Sequence, residues 1–129
     1  MSAGGAGQVT RYLLIAEALL TGKMRIQRVP SARAACWVAR RGLEAMVPLL
    51  LQLRSVDVGR ASMNVQLICL RVAYEDDPAL FSSLASAWDQ LSRACHHHAY
   101  ELTPTITEVR DLIGRIRAAE KLLEVTHIR

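Results

Sequence analysis

Apolar residues recur along most of this chain at intervals of three and four, the spacing that builds one buried face on an α-helix. Tyr12, Ile15, Ala16 and Leu19 follow Thr10, a good N-cap, and precede Gly22, a good stop, so a first helix is expected over about 10–21. A longer stripe, Cys36, Ala39, Leu43, Met46, Leu50 and Leu53, follows Ser31 as cap. Pro48 lies inside it and lacks an N–H, which predicts a kink or a break. After a turn at 57–59, Met63, Leu67, Leu70 and Tyr74 mark a third helix over about 62–74. Asp77-Pro78 is a strong start signal for a fourth, running to about residue 100 with Phe81, Leu84, Trp88, Leu91, Cys95 and His98 on its stripe. Thr105 and Glu108 form a capping box ahead of a last helix with Val109, Leu112, Ile116, Ala119 and Leu123 turned inward. Amphipathic helices with short links and no strand-like alternation predict an all-α, up-down bundle of four to five helices.

Composition narrows the picture only a little further. With 129 residues the chain is expected to form one domain over 9–126, preceded by a small, Gly-rich and flexible arm over 1–8. Hydrophobic residues make up 51% and charged ones 22%, enough for a real core, which excludes wholesale disorder. The longest apolar patch, around 43–53, is interrupted by Glu44, Pro48 and Gln52, so no membrane span is expected. The start shows no basic residues followed by an apolar run, and the three cysteines all sit inside helical apolar patterns. Both features suit a cytoplasmic protein with reduced thiols better than a disulfide framework.

The charge distribution says more than the net charge of +4. Residues 1–60 carry nine Lys or Arg against three acids, whereas the remainder carries seven against nine. Between Lys23 and Arg41 there are six basic residues and no acid, a stripe able to face phosphates, with Arg28, Arg33 and Arg40 as its candidate contacts.

The most unusual segment is 93–100, Arg-Ala-Cys-His-His-His-Ala-Tyr. Three consecutive histidines on a helix spread about 100° apart and cannot chelate one ion, and Cys95 with His98 supplies only two ligands, so neither metal nor cofactor is expected. Cys95 lies on the core stripe with no orienting acid beside it, which argues against a nucleophile. Arg93 stands four residues after Asp89, the spacing of an ordinary surface ion pair.

Arg93, His98 and Tyr100 together form R-x4-H-x-Y, which resembles the signature of HEPN-domain proteins, in particular the toxin of the minimal-nucleotidyltransferase toxin–antitoxin pairs. The likeness extends to helix order. The Ala- and Arg-rich 34–51 segment resembles the long second helix of that family, and the motif ends the penultimate long helix. Ala94 departs from the pattern, since a small polar residue usually follows the arginine. The resemblance implies a HEPN-like bundle, a homodimer whose motifs meet, an RNA substrate and an antitoxin partner. It further implies Arg93 and His98 as catalytic residues and Tyr100 as the site where the partner attaches nucleotides. The chemistry is sound without the family. Metal-free RNA cleavage needs a base for the 2′-hydroxyl, which suits histidine, and a fixed, forked cation for the phosphorane, which suits arginine. On a regular helix, residues five apart point about 140° apart. Convergence of Arg93 and His98 therefore needs either an unwound helix near His96 or residues from two subunits. The reading from another class is a non-catalytic helical domain for dimerisation or protein interaction.

Overall fold

The computed structural model describes the backbone of residues 2–96 and 103–128 and the side chains of residues 5–96 and 103–124. Its helices are α1 (Ser2–Leu20), α2 (Ser31–Gln52), α3 (Met63–Ala73), α4 (Pro78–Cys95) and α5 (Ile106–Ile128), with no strand among the described residues. The protein is an all-α bundle.

Three of these helices begin where side-chain chemistry dictates. Ser62 accepts a bond from the Val65 amide at 3.3 Å, and Asp77 accepts one from Leu80 at 3.3 Å with Pro78 in the first turn. Thr105 and Glu108 bond each other's amides reciprocally at 3.0 and 3.1 Å, a complete capping box. The Thr105 amide, and after it the Thr105 hydroxyl, hold the Glu108 carboxyl below the usual carboxylate range. Each such cap satisfies an amide that the helix itself cannot, a contribution of about 0.5–2 kcal/mol.

Two starts differ from expectation. Helix α1 reaches back to Ser2, and the Thr10 hydroxyl donates to the Ala6 carbonyl at 3.3 Å and to Glu120 at 2.6 Å instead of capping. Burial of Val9 and Leu13 against α2 outweighs the poor helix propensity of the glycines ahead of them. In α2 the cap is Pro30, whose carbonyl accepts the Ala34 amide at 3.0 Å, so Ser31 is already helical. The expected break at Pro48 does not occur. Val47, Leu50 and Leu51 on either side are fully buried and hold the helix together across the missing bond. The stop at Gly22 is where it was expected, in the left-handed region at φ 83°.

Helix α2 touches each of the other four helices, whereas α3 touches only α2 and α4. Gly42 faces Tyr12 and Leu13, and a Cβ there would lie 3.3 Å from the Tyr12 Cβ, so its small size sets the close approach of α1. Leu13, Leu43, Met46, Leu50, Leu84, Leu91 and Ile116 fill the core between α1, α2, α4 and α5. Facing residues give the directions. Gly5 meets Leu49 and Gly42 meets Leu13; Thr10 meets Glu120 and Thr21 lies beside Gly114; Ser86 meets Arg115 and Arg93 lies beside Glu108, so α1, α2, α4 and α5 alternate up and down. Helix α3 is inserted parallel to α2: Tyr74 near its end bonds Leu50, while Ser62 and Met63 at its start lie beside Arg40 and Glu44.

The C-terminal carbonyls of α2 are fully accounted for. Leu49 accepts from Leu53, Leu51 from Arg54 and Val56, and Gln52 from Ser55. Leu50 is served by the buried Tyr74 hydroxyl, and Arg54 stacks 4.0 Å over the same ring while pairing with Asp76 through two bonds. Tyr74→Phe would leave that carbonyl unpaired. It is expected to lower the unfolding free energy by about 1–3 kcal/mol in urea denaturation. An unchanged midpoint would mean that water replaces the hydroxyl.

Candidate functional site at the end of helix α4

Helix α4 ends at Cys95 because His96 turns to an extended conformation (φ −84°, ψ 119°), its amide donating to the Ser92 and Arg93 carbonyls at 3.2 Å. The helix therefore ends five residues before the expected limit, and His96, between Arg93 and His98 in the motif, is extended. His98 and Tyr100 themselves lie outside the described residues.

Arg93 occupies the last turn with its side chain 74% exposed and pairs with Asp89 at 3.1 Å, the contact that the four-residue spacing predicts. Together with Ser86, Gln90 and Ala94 of α4 and Thr103, Pro104, Thr105 and Glu108 at the start of α5, it lines a cleft of about 770 Å³. Arg93 thus shares this cleft with two carboxylates, Asp89 and Glu108. The Glu108 carboxylate is occupied by its own capping box, which leaves Asp89 as the immediate competitor for the Arg93 guanidinium.

A second cleft, of about 410 Å³, opens on the other flank of α4. Arg40 of α2 stacks 4.4 Å over Trp88 and donates to the Ser92 hydroxyl at 3.3 Å. Glu44, His96 and the first residues of α3, Ser62 to Asn64, complete its walls. Arg33 lies two turns before Arg40 on α2, half-buried. The positive charges of Arg40 and Arg33 both oppose the rise that burial gives the Cys95 thiol, and Arg40 itself reaches the last turns of α4 through Ser92. Arg28 does not join them. It sits in the α1–α2 loop at φ 67° and lines a separate, open cleft of about 690 Å³ with Arg25, Ile26 and Val29. The six basic residues between Lys23 and Arg41 are therefore divided between a helix face and a loop, and Arg93 and Arg40 occupy different clefts.

The cysteines take the structural role. Burial, reinforced by the neighbouring Cys95, pushes the Cys36 thiol up to about 12, and burial raises Cys95 as well. Neither is activated as a nucleophile. Among the described residues no group of three or more His, Cys, Asp or Glu side chains is placed to hold a metal ion. None of the described helices is long and apolar enough to cross a membrane.

Two arrangements have no signal in the sequence. The Arg40–Trp88–Ser92 contact joins residues far apart in the chain, and nothing local ties them together. The same holds for a network between α1 and α5. There Arg117 bridges Glu17 at 2.6 Å and Glu120 at 3.0 Å, while Thr10 donates to the other Glu120 oxygen. Glu120 is 4% exposed, yet both of its oxygens are bonded. Compared with family models, curated proteins and solved structures, the chain matches none.

Cys36 is expected to resist iodoacetamide in the folded protein at pH 8, where its thiolate is scarce, and to react once urea exposes it. Mass spectrometry of the labelled peptides checks this. Rapid labelling of native Cys36 would contradict its burial.

Proposed function

We propose that this chain is a HEPN-like, cytoplasmic RNA-acting domain, a metal-independent endoribonuclease of the toxin type. The observation that carries the reading is the end of α4 at Cys95, two residues after Arg93. A continuous helix would hold Arg93 and His98 about 140° apart, whereas an extended His96 removes that constraint. The bundle supports it too, since Arg93 ends the penultimate helix and faces the start of the last one, where the family resemblance puts it.

In this reading His98 takes the 2′-hydroxyl proton, and Arg93 neutralises the charge that builds on the phosphorane. Arg33 and Arg40 hold the RNA backbone beside the end of α4, and Arg28 contributes from its loop. Two copies associate so that their motif ends share one cleft, and Tyr100 is where an antitoxin partner would attach nucleotides, adding negative charge beside the clamp. Binding of RNA requires the phosphate to displace Asp89 from Arg93, an exchange of one exposed ion pair for a charge-assisted contact.

One observation favours the alternative, a non-catalytic interaction domain. Ala94 supplies no polar group to orient Arg93, and the guanidinium rests on Asp89. A cleavage assay separates the two readings. Single-stranded RNA should be cut in EDTA to products ending in 2′,3′-cyclic phosphate, and DNA should not be cut. His98→Ala and Arg93→Ala should each lower the rate by about 10²–10⁴, and Arg93→Lys should restore little because the fork is lost. A pure, folded protein inert on every RNA tried would establish the alternative. Unchanged cleavage in the double variant would assign the activity to a contaminant.

A further inference from the structure

Helix α3 has two apolar faces. Leu67 and Leu70, with Tyr74 at its C-cap, point into the bundle, whereas Val65, Ile68 and Val72 are 47%, 64% and 66% exposed. At about 100° per residue these three fall within a sector of roughly 60°, on the side of the helix opposite the buried one. Their spacing of three and four is that of a coiled-coil seam, and no described element covers them. Exposed apolar side chains scattered singly need no explanation, but a seam of three on an already anchored helix does.

We propose that this face is a self-association surface, on which α3 of one copy packs antiparallel against α3 of a second. Three features select a second copy as the occupant. The stripe from Val65 to Val72 is centred between Ile68 and Cys69, half a residue from the midpoint of Met63–Ala73, so a two-fold axis there sets Val65 of each copy against Val72 of the other. One pair of opposite charges flanks the helix. Arg60 precedes it and Glu75 follows it, neither in an ion pair with the described residues of its own chain, while Arg71 of the last turn is turned toward Phe81. Antiparallel packing brings each Arg60 toward Glu75 of the other copy, while parallel packing would pair like with like. Antiparallel helix dipoles favour the same arrangement.

This axis differs from one that would join two motif ends, because α3 lies against α2 and α4 while Arg93 faces α5. It therefore stands whether or not the chain cleaves RNA. A contact built on one eleven-residue helix is near the lower size limit of specific interfaces, about 1,000 Å² of total buried surface, so weak association is expected.

The test is sedimentation of the full chain between about 1 and 200 µM, beside Ile68→Glu, an exposed change that circular dichroism should find folded. The wild type should gain mass with concentration, and Ile68→Glu should halve the mass reached. In a Cys69→Ser background, Ile68→Cys should form a disulfide-linked dimer under mild oxidation, while Leu14→Cys, equally exposed but on α1, should not. A wild type whose mass does not rise with concentration overturns the proposal. So does a rise that Ile68→Glu leaves unchanged, which would place the interface elsewhere.

Discussion

Helix α2 must lose water over most of its circumference, and eleven of its twenty-two residues are buried. No single neighbour can supply that much cover, so four helices surround it. Small residues decide how closely they come: Gly42 admits α1, and Ala35 and Ala39 leave room beside it. A helix so enclosed cannot send its last carbonyls to water. Tyr74 of the α3 cap, the turn after Gln52 and the Arg54–Asp76 pair settle that end, and with it the position of α3. Toward its start, the same burial leaves Arg40 only the rim of α2 nearest α4, where it meets Trp88 and Ser92. That basic rim is thus a by-product of where the core sits, on the flank of α4 away from the Arg93 cleft.

What the sequence made legible was local chemistry. The caps at Ser62, Asp77 and Thr105 and the stop at Gly22 each depend on a few adjacent residues, and the inward stripes of α3 and α5 depend on spacing alone. What stayed hidden depends on contacts across the fold. The helical start of α1 is held by packing against α2, and Thr10 exchanges a capping role for a bond to Glu120, 110 residues away. Pro48 stays helical because the residues around it are buried, a fact about neighbours and not about proline. The second apolar face of α3 was overshadowed by the first, since both follow the same period.

The candidate site was legible to the same degree. The Arg93–Asp89 pair follows from spacing, and the structure contains it. The grouping of the basic residues does not follow from their count, because a loop intervenes and Arg28 faces another cleft. A helix end cannot be located from an apolar stripe that continues past it, and here α4 stops while the pattern runs on through His98. That early stop gives Arg93 its chemical interest: an exposed, permanently charged fork in the last turn of a helix that ends two residues later.

The central claim is that this end of α4 meets the phosphate backbone of single-stranded RNA. It is tested most directly by fluorescence anisotropy with a labelled RNA oligonucleotide across a salt series. Affinity should fall linearly in log–log form, with a slope of about −0.7 for each phosphate contacted. Arg93→Ala should weaken binding and flatten that slope by about one contact. Binding that is indifferent to salt, or that keeps its slope in Arg93→Ala, would contradict the claim.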